Sequence, residues 1–201
     1  MSQAKLLFAT RNRGKLAELS ELVRPYGYEV LSLDDFSAMG EVVEDAPTFA
    51  GNAEKKARAA LAATGCPSLA DDSGLEVDAR DGAPGVQSAR YAGNHDDAAN
   101  NAKLLSALAE VPDGKRSARF RCALALIDVS GTLQLTEGAC EGRIARAPRG
   151  LYGFGYDPLF LVGTGERTMA ELAPDEKNRL SHRGQALRAM ANALASHRRG
   201  G

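Results

Sequence analysis

The stretch LLFATRNRGK, residues 6–15, decides the fold class of this chain. Leu6 to Ala9 is apolar throughout and runs into a polar loop, which predicts a short buried strand. An apolar stripe at helical spacing follows and predicts a helix that ends before Pro25: Leu16, Leu19, Leu22 and Val23. The chain therefore opens on a strand, a tight loop and a helix.

The loop from Thr10 to Lys15 is a candidate site for a triphosphate: Thr10, Arg11, Asn12, Arg13, Gly14 and Lys15. Unpaired backbone N–H groups and the dipole at a helix start attract anions, and Lys15 adds a positive charge. The loop is not a P-loop, because Ala9 replaces the first glycine and Leu16 replaces the Ser or Thr that binds magnesium. A cationic helix start facing solvent is the alternative interpretation.

Further strands and helices alternate along the chain. Strands are predicted over 28–33, 68–70, 118–129, 133–144 and 158–162, with a turn at Ser130-Gly131, and helices over 48–64, 97–108 and 181–196. This order favours an α/β fold of mixed α+β character with a mixed sheet. The length of 201 residues fits a single domain, and residues 197–201 are predicted to fray.

Composition excludes several classes of protein. Hydrophobic residues make up 44%, charged residues 25%, and the formal net charge is -1, as in an ordinary globular protein. This balance argues against binding to a nucleic-acid polymer or a membrane surface. Cys66, Cys122 and Cys140 lack the spacing of a disulfide frame or a zinc site, which predicts reduced thiols in a cytoplasmic protein. The sequence also lacks an apolar run long enough for a secretory signal or a membrane span.

A divalent ion held with a triphosphate would need carboxylate ligands outside the loop. The candidates are Glu41, Glu44, Asp45, Asp71 and Asp72. The segment Asp71-Asp72-Ser73-Gly74 directly follows a predicted strand, where α/β proteins place ligands. An acidic turn is the alternative for this segment.

Two later segments are candidate binding sites. Residues 150–158 place three glycines in six positions, with aromatic rings between them that could stack on a base, although a plain glycine-rich loop is the alternative. Lys177 precedes Ser181-His182-Arg183, where basic residues in a first helical turn oppose the dipole. Such a placement is tolerable at a site that needs positive charge.

Taken in order, these motifs resemble the inosine/xanthosine triphosphate pyrophosphatase family of nucleotide hydrolases. They are TRNRGK at 10–15, ADDSGL at 70–75, FGYDP at 154–158 and SHRGQAL at 181–187, and PGVQSARYAG at 84–93 and TMAEL at 168–172 are also similar. The resemblance runs from about Lys5 to Leu194. It implies an elongated mixed β-sheet flanked by helices, in two lobes with a central nucleotide-binding cleft, and a homodimer.

The resemblance also implies a reaction: Mg²⁺-dependent hydrolysis of ITP, dITP and XTP to the monophosphate and pyrophosphate. Asp72 resembles the catalytic acid/base, and Glu44 and Asp72 resemble the metal ligands. The implied substrate contacts are residues 10–15 with Ser73, Phe154, Gly155, Tyr156, Asp157, Lys177, His182 and Arg183. Gly51 departs from the family, which often has a glutamate there.

The residues themselves suggest how such a site selects a base. Lys177 and Arg183 can only donate hydrogen bonds, so they suit the C6 carbonyl of hypoxanthine or xanthine and reject the amino group of adenine. Guanine shares that carbonyl and is not rejected in this way. Two alternative functions remain: a pyrophosphatase for methylated or pyrimidine nucleotides, and a nucleotide-binding regulator without turnover.

Overall fold

The computed structural model describes residues 4–36, 40, 42–93 and 95–200, with side chains described up to residue 195. Candidate ligand Glu41 lies outside these residues. The strands are β1 Ala4–Phe8, β2 Tyr28–Ser32, β3 Ser68–Val77, β4 Ser117–Ile127, β5 Leu133–Ile144 and β6 Phe160–Val162. The α-helices are α1 Arg13–Val23, α2 Phe49–Thr64, α3 Asp97–Ala107, α4 Pro174–Leu180, α5 His182–Ala189 and α6 Ala191–Gly200. No helix in the described part of the chain is both long and apolar enough to cross a membrane.

The six strands form one sheet in the order β2-β1-β3-β4-β5-β6. β1 pairs in parallel with β2 and with β3, and β5 pairs antiparallel with β6. A parallel pair needs a crossover, which α1 supplies between β1 and β2. The predicted α/β fold with a mixed sheet is therefore confirmed.

The chain divides into two compact units, each with its own apolar core. Unit 1 comprises Met1–Asp72, Cys122–Gly138 and Arg183–Gly201. Its core includes Leu6, Phe8, Leu19, Val23, Tyr28, Leu69, Cys122, Leu124, Leu126, Leu187, Met190 and Leu194. Unit 2 comprises Ser73–Arg121 and Ala139–His182. Its core includes Leu75, Val77, Leu104, Leu108, Phe120, Cys140, Ile144, Tyr156, Leu159, Phe160, Met169 and Leu172. The assignment of these units to the two predicted lobes, with a central cleft, stays a prediction.

Apart from shifts of one or two residues at element ends, the structure differs from the sequence-based expectation in three places. β3 continues to Val77 instead of ending at residue 70, so the acidic segment lies in a strand and not in a turn. Short helix α4 was not predicted, although Pro174 at its start suits the first turn of a helix. The predicted last helix is two helices that meet at Met190, and the second continues to Gly200, so fraying of that end stays a prediction.

Candidate active site

Two side chains of the loop after β1 accept hydrogen bonds from the backbone of the same loop. The Oδ1 atom of Asn12 accepts a hydrogen bond from the backbone N–H of Lys15 at 3.0 Å, which caps the start of α1. The hydroxyl of Thr10 accepts a hydrogen bond from the backbone N–H of Asn12 at 3.2 Å. Arg11 is exposed and lies 3.9 Å from Asp34. Asn12 is therefore a helix cap, a role that the sequence analysis did not assign to it.

Lys15 extends from this loop to the buried carboxylate of Asp71. Its Nζ atom lies 2.7 Å from Asp71 Oδ1, and the Nε–H of Arg183 donates to Asp71 Oδ2 at 3.1 Å. Arg183 also forms an ion pair with Glu18. Burial acts to raise the pKa of Asp71, but the attraction of Lys15 and Arg183 outweighs it and holds that pKa well below its usual range. Asp71 is therefore ionised and binds two cations of unit 1.

Asp72 contacts a different pair of side chains, both from α2. The Nδ2 amide of Asn52 donates to Asp72 Oδ2 at 3.0 Å, and Lys56 Nζ lies 3.3 Å from Asp72 Oδ1. Lys56 Nζ also lies 2.7 Å from Glu44 Oε1, so both predicted metal ligands converge on one ammonium group. Burial raises the pKa of Asp72, an effect that Glu44 reinforces and that Lys56 and Lys15 partly offset.

Asn52 and Lys56 are not among the site residues predicted from the sequence. Both are buried and lie one helical turn apart in α2, where they interrupt the apolar face formed by Phe49, Ala53 and Ala57. A buried lysine is rare unless it is paired. Polar residues at positions of this apolar face were therefore the sequence signal that could have identified Asn52 and Lys56 as site residues. Asn52 Oδ1 also accepts a hydrogen bond from the backbone N–H of Ala46 at 2.9 Å, which holds the segment that carries Glu44 beside α2.

Gly51, where the resemblance implies a glutamate, lies against this same segment. A Cβ atom there would be 2.9 Å from Ala46 Cβ and 3.1 Å from Thr48 Oγ1. The backbone N–H of Gly51 donates to Thr48 Oγ1, which caps α2. A side chain at residue 51 would thus require the segment before α2 to move.

Glu44 and Asp72 carry oxygen atoms that could hold a divalent cation. Their oxygens are hard donors of the kind that Mg²⁺ prefers, and one oxygen of each lies within 3.3 Å of the same ammonium nitrogen. No group of three or more acidic, histidine or cysteine side chains suited to a metal occurs among the described residues. Mg²⁺ is usually held by one or two carboxylates and completes its shell with water and phosphate oxygens, so two ligands fit.

A second group of predicted site residues lies in unit 2, centred on the buried carboxylate of Asp157. Lys177 Nζ lies 2.5 Å from Asp157 Oδ2, which also accepts the backbone N–H of Phe154 at 2.9 Å. The ammonium of Lys177 lies 4.9 Å from the centroid of the Phe154 ring, at cation–π distance. Gly153 has a φ of +80°, and a Cβ atom there would be 2.1 Å from Asp157 Oδ2, so glycine is required.

The remaining predicted contacts are mostly buried. Tyr156 belongs to the core of unit 2, and its hydroxyl donates to the backbone oxygen of Ser88 at 2.9 Å. The ring of His182 stacks on Phe120 with 4.8 Å between centroids. Ser73 is half-buried in β3, as is Phe154 in its loop. Phe154 is therefore the better exposed of the two aromatic rings in the 154–158 motif.

Comparisons with known proteins agree with the sequence motifs. A model of the Ham1 family matches residues 6–193. A dITP/XTP pyrophosphatase of Desulforamulus reducens is 56% identical over 185 residues, which is 92% of each chain. A dITP/XTP pyrophosphatase of Bacillus subtilis is 48% identical and covers 94% of this chain and 96% of its own.

Solved structures give the same result. A HAM1 protein from Coxiella burnetii superposes with a TM-score of 0.85 and 45% identity, covering 96% of this chain and all of its own. A nucleoside-triphosphatase, dITP/XTP pyrophosphatase, from Mycobacterium abscessus superposes with a TM-score of 0.76 and 50% identity, covering 92% of this chain and 98% of its own. The predicted resemblance is confirmed, and the chain belongs to the Ham1 family.

Proposed function

We propose that this protein hydrolyses dITP, ITP and XTP to the nucleoside monophosphate and pyrophosphate, with Mg²⁺ as cofactor. The proposal is carried by the convergence of Glu44 and Asp72 on one buried cationic position, 2.7 and 3.3 Å from Lys56 Nζ. Relatives named dITP/XTP pyrophosphatase, about half identical over nearly the whole chain, support the substrate class.

Asp72 is the proposed general base that accepts a proton from the attacking water at the α-phosphorus. A base works best when its pKa is near the working pH, and burial shifts the pKa of Asp72 in that direction. The hydrogen bond from Asn52 fixes one oxygen of the carboxylate and thereby its orientation. Lys56 balances the charge of Asp72 and Glu44.

Lys15 and the loop 10–14 form the proposed binding site for the phosphates. Lys15 has three N–H donors, of which the contact with Asp71 uses one, so others can reach phosphate oxygens. Asp71 fixes the position of that ammonium group before substrate arrives. Mg²⁺ would be held by Glu44 and Asp72, and when bound it neutralises charge that develops on the phosphate oxygens.

The group around Asp157 is the proposed contact for the base. Lys177 is held by Asp157 and can offer a donor to the C6 carbonyl of hypoxanthine or xanthine, while adenine presents an amino group there. Rejection of a base that leaves a buried donor unpaired can reach about 10⁴-fold. Ser73, Gly155, Tyr156, His182 and Arg183 complete the proposed substrate contacts.

Pyrophosphate release tests the proposal. Release from dITP, ITP and XTP is compared with release from ATP, GTP, and methylated and pyrimidine triphosphates, with and without Mg²⁺. We expect Mg²⁺-dependent release that favours the first three. Equal efficiency on ATP contradicts the donor argument, and turnover of only methylated or pyrimidine nucleotides supports that alternative. Tight nucleotide binding without turnover supports a regulator.

We also propose a homodimer located in the cytoplasm, without a nucleic-acid or membrane partner. The free thiols of Cys66, Cys122 and Cys140 support a reducing compartment. The dimer is implied by the family resemblance alone. Light scattering on the purified full chain tests it, and a monomer mass at micromolar concentration contradicts it.

A further inference from the structure

One face of α3 binds the glycine-rich loop of unit 2, residues 150–158, through two hydrogen bonds. The backbone N–H of Gly155 donates to Asp97 Oδ2 at 2.7 Å. The Nδ2 amide of Asn101 donates to the backbone oxygen of Gly155 at 2.8 Å. Asp97 and Asn101 are four residues apart in α3, so their side chains lie on the same face of the helix. Together they bind both the backbone N–H and the backbone oxygen of Gly155.

These two contacts matter because the glycines on either side of Phe154 place few steric restrictions on the backbone of the loop. Gly153 and Gly155 have φ angles of +80° and +61°, and glycine moves among such conformations at low cost. The N–H of Gly155 belongs to the peptide that follows Phe154, and its oxygen belongs to the peptide that precedes Tyr156. Holding both groups fixes the two peptide planes on either side of Gly155, and with them the direction of the Phe154 side chain.

Phe154 is coupled in turn to the charged pair proposed to contact the base. Its backbone N–H donates to Asp157 Oδ2, and its ring lies 4.9 Å from Lys177 Nζ. A rotation at Gly155 would move Phe154 relative to both groups. The contacts with Asp97 and Asn101 thus link α3 to the arrangement of Phe154, Asp157 and Lys177.

We propose that Asp97 and Asn101 are positioning residues that set the base preference of the reaction. The inference rests on the proposed function, because it assigns the loop to base recognition. Neither residue needs to touch the substrate: both act through the peptide groups of Gly155. They belong to α3, which none of the sequence motifs assigned to substrate binding includes.

The surroundings of Asn101 distinguish a role in positioning Gly155 from a role in stabilising the fold. Its Oδ1 atom is buried and accepts no hydrogen bond from the described residues. A buried acceptor without a partner is destabilising, so Asn101 is a poor choice of residue for stability alone. Removing its side chain should consequently change base preference more than the melting temperature.

The test uses Asp97→Ala and Asn101→Ala, with Asp96→Ala as the matched control. Asp96 is the N-cap of α3 and binds the N–H groups of Ala98 and Ala99, so its loss weakens the same helix without touching Gly155. The readout is the ratio of kcat/KM for dITP to kcat/KM for dATP, beside the melting temperature. A loss of activity from simple destabilisation lowers both kcat/KM values together and leaves their ratio unchanged.

We expect each of Asp97→Ala and Asn101→Ala to lower the ratio about tenfold, the usual weight of one hydrogen bond. Asp97→Asn keeps an acceptor oxygen for the N–H of Gly155 and should restore the ratio. Asp96→Ala should lower the melting temperature and keep the ratio. An unchanged ratio in both test variants, or an equal change in Asp96→Ala, overturns the inference.

The same variants distinguish this inference from the proposed function. If wild-type protein releases no pyrophosphate from any triphosphate, the proposed function fails. The ratio of Kd values for dITP and dATP, measured by calorimetry without Mg²⁺, then tests the positioning role directly. A ratio that differs between wild type and Asn101→Ala supports it, and equal ratios overturn it.

Discussion

Asp71 and Asp72 are neighbours in β3, yet their carboxylates contact different lysines and their pKa values shift in opposite directions. Successive side chains of a strand point to opposite faces, which separates the two acids. Asp71 meets Lys15 and Arg183, while Asp72 meets Asn52 and Lys56. One carboxylate is therefore held in its ionised form, while burial raises the pKa of its neighbour.

Replacing Asp72 with asparagine should remove the general base while keeping its shape. We expect kcat for dITP to fall by about 10² to 10⁴. Asp45→Asn is the matched control, since Asp45 adjoins Glu44 but pairs with the exposed Lys55. Steady-state pyrophosphate release measures both variants. A near-normal rate in Asp72→Asn would exclude Asp72 as the base.

Asp71→Asn should destabilise the protein at neutral pH, because Lys15 and Arg183 lose their shared partner. Breaking a buried pair costs about 3–5 kcal/mol. The folded-state pKa of Asp71 is lowered, so its contribution to stability is complete above the unfolded value of about 3.9 and is lost as the pH falls below that value. The free energy of unfolding, measured with urea, should therefore fall less between pH 7 and pH 3 in Asp71→Asn than in wild type. An equal fall in the free energy of unfolding of the two proteins over this pH range contradicts this account of Asp71.

Lys56→Met should leave Glu44 and Asp72 facing each other without the ammonium that balances them. Mg²⁺ can take over that balance, so the variant should gain more stability from Mg²⁺ than wild type does. Thermal unfolding in Mg²⁺ and in EDTA measures the difference. Lys55→Met, which removes an exposed lysine from the same helix, should respond as wild type does. An equal response in Lys56→Met would argue against a metal at this position.

Lys177→Met should reduce discrimination between bases. We expect the ratio of kcat/KM for dITP to that for dATP to fall about 10- to 100-fold, since the donor for the C6 carbonyl is lost. Lys103→Met is a close control, because Lys103 also lies over an aromatic ring, Tyr91, at 4.4 Å. A ratio that is unchanged in Lys177→Met assigns base recognition to other residues.

The three thiols should differ in reactivity. Burial raises the pKa of Cys140 to about 11 and raises the pKa of Cys122 as well, whereas Cys66 is only half-buried. A maleimide probe should therefore label Cys66 alone in the native protein, and all three cysteines after denaturation. Mass spectrometry after digestion identifies the labelled peptides. Rapid native labelling of Cys122 would contradict its burial in unit 1.

Most of the fold was predictable from local patterns. The strand, loop and helix at 6–23 and the strand pair at 118–144 follow from hydrophobic spacing and turn residues, which act over a few positions. The extent of β3 was not predictable, since Asp71-Asp72-Ser73-Gly74 has the composition of a turn. Buried aspartates are stable in a strand only when partners from elsewhere neutralise them.

The sequence by itself determined the order of the strands and of helices α1 to α3, the family, and which residue types could hold phosphate or metal. Tertiary structure alone decided which of two adjacent aspartates meets which cation. Arg183 and Asp71 are 112 positions apart, and Lys56 and Asp72 are 16 apart. Contacts over such separations depend on how helices pack on the sheet, and a carboxylate acquires its pKa only from the charges and the burial that this packing provides.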